Sequence, residues 1–257
     1  MAVPRLHLDH DLATGAEIAL DEGQARYLVQ VMRLKAGDGV RVFNAESGEW
    51  RARLSGAGRK GARLAIEERT RAPQRLSADL HLLFAPVKRT RTDFIVEKAT
   101  ELGVSAIRPV FTQRTVAERV RLDRLEAIAR EAAEQSERLD LPQVREAEKL
   151  DVALDGWAEK EGGRKLLFLD EASGGEGSPW RETDQDAPPA LAALAGHPKG
   201  PWAVLIGPEG GFTPEERARL RSESFVVTAS LGPRILRADT AAIAALTLWQ
   251  AVLGDWG

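Results

Sequence analysis

From residue 78 onward the chain repeats one rhythm: a short, almost uniformly apolar run, a turn, then a segment with helical periodicity. The apolar runs are ADLHLLFAP (78–86), SAIRPVF (105–111), RKLLFLD (164–170), WAVLIG (202–207) and SFVVTAS (224–230). Runs of this length that do not alternate in polarity are the mark of strands buried on both faces. The segments between them behave differently. RTDFIVEKATELG (91–103) places Ile95, Ala99 and Leu102 at i, i+4 and i+7, and Gly103 reads as its stop. LDRLEAIAREAAEQSE (122–137) carries Leu122, Leu125, Ile128 and Ala132 on one side, and ADTAAIAALTLWQAVL (238–253) carries Ala242, Leu246, Trp249 and Leu253. Strands alternating with helices predict an α/β fold with a parallel sheet covered on both faces. Residues 172–200, rich in Gly, Ser, Pro and acid, read as a loop interrupted by a short helix.

The first 70 residues follow another pattern. GVRVFN (39–44), EWRARL (49–54) and ARLAIEE (62–68) have period-2 character, separated by turn-rich breaks at Ala45–Gly48 and Ser55–Gly61. A helical pattern, GQARYLVQVMRLKAGD, precedes them and ends at Gly37. Short, closely spaced strands predict a small β-barrel. RAPQR (71–75) reads as a linker, which sets the expected domains at 1–72 and 73–257.

Composition then narrows the chemistry. There is no cysteine, which excludes disulfides, thiolate nucleophiles and cysteine-ligated metals. The four histidines (His7, His10, His81, His197) share no metal-ligand helical spacing, so no metal is expected. No run of apolar residues is long enough for a membrane helix, and no secretory signal is visible at the N-terminus, so a cytoplasmic protein with no membrane partner is expected. The net charge of −3 does not by itself suggest nucleic acid, but it is uneven: residues 88–124 carry 9 basic against 5 acidic side chains. What remains for chemistry is carboxylates, guanidiniums, backbone amides and a bound cosubstrate.

Four segments stand out. In LIGPEGGFTPEE (205–216) a buried strand enters a glycine-rich turn, and a helix follows with Thr213 as N-cap, Pro214 at its first position and Glu216 three after the cap. It lacks the lysine of a phosphate loop and is not G-x-G-x-x-G, so a Rossmann dinucleotide site is not indicated. SLGPRILRADTAA (230–242) is a second strand–turn–helix, with Ile235 and Leu236 as apolar walls and Arg237 and Asp239 at the rim. Two such turns on neighbouring strands would wrap a flat, partly polar ligand. VKRTRTDFIVEKATELGV (87–104) sets Lys88, Arg89 and Arg91 at a helix start, where cations oppose the helix dipole unless an anion is near. AEQSERLDLP (133–142) places Arg138 at a helix end.

Taken together, K-R-x-R-x-D-F-x-x-x-K-x-x-E-L-G-V, L-I-G-P-E-G-G-F-x-x-x-E, L-G-x-R-I-L-R-x-D-T-A, E-Q-S-E-R near residue 134 and V-M-R-L near residue 31 resemble the RsmE family. These are bacterial 16S ribosomal RNA uridine-N3 methyltransferases of the SPOUT superfamily. The resemblance covers almost the whole chain in order. It implies a small N-terminal PUA-like β-barrel that binds RNA and a SPOUT domain with a trefoil knot. It also implies S-adenosylmethionine as cosubstrate and a homodimer acting on 16S ribosomal RNA, within the small ribosomal subunit. By position, the implied cosubstrate residues are Leu169, Asp170 and Glu171; Ile206, Gly207, Pro208, Glu209, Gly210 and Gly211; and Leu231, Gly232, Ile235, Leu236 and Arg237. With no histidine in any motif, Arg138 is the candidate to stabilise an anionic uracil, and Asp239 and Glu209 are candidate bases. Arg5, Arg33, Lys88, Arg89 and Arg91 are the expected RNA contacts, with Arg51 and Arg53 behind them. The competing reading is a non-catalytic RNA-binding assembly factor. It predicts damaged glycine turns, and both turns are intact.

Overall fold

The computed structural model describes residues 3–58, 61–74, 78–170 and 187–256. Glu171 and most of the acidic loop that follows it lie outside the described residues. The chain divides into two compact units, Met1–Leu76 with Ala133–Leu141, and Ser77–Ala132 with Pro142–Gly257. The expected boundary at 72/73 does not anticipate that residues 133–141 group with the N-terminal unit.

In the N-terminal unit, β1 (Arg5–His7), β2 (Glu17–Ala19), β3 (Gly39–Asn44), β4 (Gly48–Gly58) and β5 (Gly61–Arg71) form a sheet in the order β1-β3-β4-β5-β2. β1 runs parallel to β3, and the other pairs are antiparallel. The period-2 pattern works as read: Val40, Val42, Ala52, Leu54, Leu64 and Ile66 point inward and are buried. The helical pattern becomes α1 (Glu22–Arg26), capped by Asp21 and Gln24 in a reciprocal box, and continues as a π-helical turn over Tyr27–Val31. Regular structure there ends at Val31, six residues before Gly37. The exit is made by Arg33 at φ 56°, a left-handed conformation uncommon for a residue with a Cβ.

β1 has no alternation, because its polar residues are buried too. Arg5 is enclosed: its Nε donates to Glu49 at 2.7 Å, its Nη1 to the Ala133 carbonyl at 2.8 Å, and its Nη2 to the Arg138 carbonyl. Its guanidinium lies 3.5 Å from the centre of the Phe43 ring. Burial holds its pKa below the ordinary arginine value, against the pull of Glu49. The expectation that Arg5 grips RNA is therefore corrected. Its donors are used to bind segment 133–141 to the sheet.

In the second unit, β6 (Leu80–Phe84), β7 (Ala106–Phe111), β8 (Gln143–Val144), β9 (Glu148–Lys149), β10 (Lys165–Leu169), β11 (Trp202–Ile206) and β12 (Val226–Ala229) form one sheet. Its order is β12-β10-β11-β6-β7-β8, β9 also pairs with β7, and every pairing among the described residues is parallel. The helices are α2 (Arg89–Glu101), α3 (Leu122–Gln135), α4 (Leu150–Leu154), α5 (Trp157–Glu161), α6 (Ala190–Ala195), α7 (Pro214–Ser222) and α8 (Ala238–Val252). One core layer joins α2, α3, α6 and α8 to the sheet, and another places Trp157, Phe212 and Leu220 on its opposite face, which is the double cover that the apolar runs predict. α2 stops where expected, at Gly103 with φ +80°. The buried Gln250 of α8 donates to the Leu102 carbonyl at 2.6 Å and so fastens that helix end.

At the N-terminal edge of the same sheet, His81 is buried beside Asp79, Glu161, Arg108, Arg145 and Arg164. Burial first, then the neighbouring arginines, push its pKa down to about 3. Its folded value is below its unfolded value near 6.5, so the neutral ring contributes stability above about pH 6.5. That contribution declines as pH falls toward 3. We expect thermal midpoints to decline through this window, and His81→Leu to flatten the upper part of the decline. An unchanged acid limb in His81→Leu would show that the ring does not govern it.

Candidate active site

A cavity of about 320 Å³ opens beyond the carboxyl ends of β10, β11 and β12. The second unit's parallel sheet places its ligand-sized space where open α/β sheets generally place theirs. Leu169 and Asp170 come from the end of β10, Ile206 to Gly211 from the turn after β11, and Ser230 to Ala238 from the turn into α8; Arg114, Arg217 and Ala241 complete the wall. Every described residue of the expected cosubstrate set therefore lines one cavity. β11 and β12 are not neighbours, as a simple pairing of the two glycine turns would require. β10 lies between them, so three turns converge rather than two.

Local chemistry explains the shape. Gly211 and Gly232 have φ of 66° and 102°, a backbone region that side chains disfavour. Gly207 is needed for space instead: a Cβ there would stand 2.6 Å from Cε2 of the fully buried Phe212. α7 starts with the expected box, in which Glu216 accepts from the Thr213 N–H at 2.9 Å and Thr213 Oγ1 accepts from the Glu216 N–H. Such caps contribute about 1 kcal/mol. Glu216 also accepts from the Gln113 N–H at 2.8 Å, which ties α7 to the loop after β7.

The charges sort into pairs that spacing alone does not reveal. The side chain of Asp170 is fully buried and bridges two arginines of α7, Arg217 at 3.3 Å and Arg221 at 2.7 Å. Its carboxylate thus supports the cavity floor. At the rim, Arg91 Nη1 donates to Glu209 at 2.9 Å and Arg91 Nε lies 3.9 Å from Asp239. The two candidate bases and one expected RNA contact are therefore a single cluster, assembled from residues 118 and 148 positions apart. Lys88 and Arg89 are exposed, as is Arg33 in the N-terminal unit. Arg51 and Arg53 are also exposed but pair with Glu68 and Glu67.

Arg138 has a different setting from the one expected. It is buried within the N-terminal unit, with Nε and Nη2 each 3.2 Å from the Asp140 carboxylate, and it is not among the residues lining the cavity. Within one chain its buried charge is paired with Asp140. Arg114 was missed. It lies in the loop after β7, and the sequence signal that marks it, a TQRT turn directly following a buried strand, is modest. No group of three or more His, Asp or Glu side chains placed to hold a metal occurs among the described residues, nor does any helix there have the length and apolarity to cross a membrane.

Comparison with known proteins follows this geometry. A family model described as an RNA methyltransferase domain matches residues 74–250, and one described as an RNA methyltransferase PUA domain matches residues 20–67. A relative from Rickettsia conorii, Ribosomal RNA small subunit methyltransferase E, is 31% identical over 247 residues, covering 96% of this chain and 94% of its own. A crystal structure of the protein of that name from Neisseria gonorrhoeae, bound to S-adenosyl methionine, superposes with a TM-score of 0.81 at 27% identity, covering 100% of both chains. A Legionella pneumophila chain in complex with the same cofactor gives 0.79 at 26% identity, covering 98% of both.

Proposed function

Because the chain belongs to the RNA methyltransferase family that includes Ribosomal RNA small subunit methyltransferase E, we propose that it transfers a methyl group from S-adenosylmethionine to N3 of a uridine in 16S ribosomal RNA of the small subunit. The observation that carries this reading is the convergence of three strand-end turns on one cavity. Its size is at the lower end of the roughly 300–1,000 Å³ usual for small-molecule sites.

The cavity fits such a cosubstrate. The turns 206–211 and 231–237 line it, and Ile235 and Leu236 offer apolar wall. S-adenosylmethionine supplies a sulfonium methyl that is already activated for transfer. The chain's own task is alignment, which in general accounts for up to roughly 7–11 kcal/mol of a barrier, and removal of the N3 proton. Glu209, which lines the cavity, and Asp239, joined to it through Arg91, are the candidate bases, and each must exchange its contact with Arg91 to accept that proton. The target base has to leave its stack to expose N3. Lys88, Arg89 and Arg33 are exposed cations suited to backbone phosphates, which set register.

The family resemblance supports a PUA-like barrel for the N-terminal unit, a SPOUT trefoil knot for the second, and a homodimer acting in the cytoplasm. α8 leaves Ile243, Ala244 and Leu248 only half-buried within one chain, a surface suited to a second copy. The intact glycine turns argue against a non-catalytic assembly factor.

Mass spectrometry of small-subunit RNA from cells with and without the gene tests the assignment. The expected result is one methylated uridine that disappears with the gene and returns when unmodified subunits are incubated with purified protein and S-adenosylmethionine. Identical RNA from both strains, with no transfer in vitro, would reject it.

A further inference from the structure

Three of the cations at or beside the cavity have carboxylate partners. Arg217 and Arg221 meet Asp170, and Arg91 meets Glu209 and Asp239. Three do not. Arg114, Arg234 and Arg237 line the same cavity, are exposed, and make no ion pair among the described residues. Arg114 does act at longer range on the exposed Glu215, but like charges around one opening that lack a direct carboxylate contact raise the local potential and attract anions.

Arg114 is held in place. The Thr112 N–H donates to Thr115 Oγ1 at 2.9 Å, the Gln113 N–H to Glu216 at 2.8 Å, and Arg114 Nη1 to the Gly210 carbonyl at 3.0 Å. This braces the guanidinium against the turn after β11. Arg234 and Arg237 come from the turn after β12, so the three cations stem from two separate walls of the cavity. Between the latter two, Ile235 is 52% exposed, although it is a large apolar side chain. Apolar surface flanked by cations is the arrangement that suits a nucleotide, whose base packs while its phosphates pair. A cosubstrate with one carboxylate would need one such cation, not three.

We infer that Arg114, Arg234 and Arg237 form a phosphate-binding arc at the cavity mouth, which holds the RNA backbone beside the target uridine while Ile235 packs on a base or ribose. This rests on the methyl-transfer reading above. It adds a grip on RNA at the cavity mouth, apart from the contacts proposed at Lys88, Arg89 and Arg33.

Arg114→Ala, Arg234→Ala and the double variant test it in the full-length protein. Three quantities are measured: S-adenosylmethionine affinity by calorimetry, kcat and KM for unmodified small subunits, and binding of a fluorescein-labelled small-subunit RNA strand across a salt series. The expected result is a rise in KM for RNA of about tenfold per arginine, as loss of a charge-assisted hydrogen bond predicts. Salt dependence should be shallower, affinity for S-adenosylmethionine should change less than KM for RNA does, and lysine at either position should restore most of the loss. If cosubstrate affinity drops while RNA binding stays constant, the arginines serve the cosubstrate and the arc is wrong. It is equally wrong if neither quantity changes. A wild-type protein that transfers no methyl group would reject the methyl-transfer reading, and the RNA-binding arm would still decide the arc.

Discussion

Glu49→Ala is expected to lower the stability of the N-terminal unit by about 3–5 kcal/mol, the usual cost of leaving one partner of a buried ion pair alone. Glu49 is 2% exposed and sits among three guanidiniums: Arg5 at 2.7 Å, Arg41 at 3.6 Å and Arg71 at 4.0 Å. Arg41 and Arg71 reach solvent and lose little. Arg5 does not, since its side chain is 3% exposed. Without Glu49 its charge would remain buried against Phe43 and the carbonyls of Ala133 and Arg138. For a unit of this size such a loss lowers the thermal midpoint by more than about 10 °C. Proteolysis should then cut first around residues 133–141, whose buried attachment runs through Arg5 beside the exposed contacts of Glu137 with Arg41 and Arg71. The double variant Arg5→Met, Glu49→Leu should regain much of the loss, because it removes both charges rather than one. Calorimetry showing the wild-type midpoint in Glu49→Ala would refute this account of the unit.

The second large effect is expected at Asp170. Asp170→Asn keeps the shape but removes the charge that Arg217 and Arg221 share across the cavity floor. Arg217 is 6% exposed, so the cost is again about 3–5 kcal/mol. Asp170 is also joined through its N–H to the Ala229 carbonyl at 3.2 Å, so β10, β12 and α7 loosen together. Thermal stability and S-adenosylmethionine binding should therefore fall in parallel, and high cosubstrate concentration should recover part of both by mass action. A variant with the wild-type midpoint but no binding would assign Asp170 to direct cosubstrate contact instead.

These two sites differ in how far local sequence foretells them. Asp170 ends a buried apolar run, and polar residues at the carboxyl ends of such strands are natural candidates for a site. Its presence at the cavity is legible, while its pairing with α7 is not. Glu49 sits in a period-2 run, where alternation reads it as an outward, solvated position. It is buried because a parallel three-residue strand, β1, packs beside β3, and three residues carry too little periodicity to announce themselves. β2 is as short and β8 and β9 shorter still, and none of them shows in the sequence for the same reason. The longer elements did show: β3 spans the predicted 39–44, β4 and β5 extend the predicted runs, and α8 ends within a residue of its expected limit.

The sequence by itself determined what depends on neighbouring residues along the chain. Uniform apolar runs prescribed the strands, buried on both faces except at the edge strand β12, whose residues are mostly half-buried, and glycine at their ends prescribed turns that approach a ligand. Thr213, Pro214 and Glu216 prescribed where α7 begins. Each is a local matter of burial, backbone freedom or capping, with energies set within one turn of helix or one strand. Tertiary structure alone decided which charges meet. Strand order put β10 between β11 and β12, brought Arg91 to Glu209 and Asp239, enclosed Arg5 with Glu49, and left Arg114 and Arg234 with no ion pair among the described residues. A guanidinium can pair, pack or wait for phosphate with the same local sequence around it. Its role follows from which distant side chains share its dielectric surroundings, and the crossovers between strands set that.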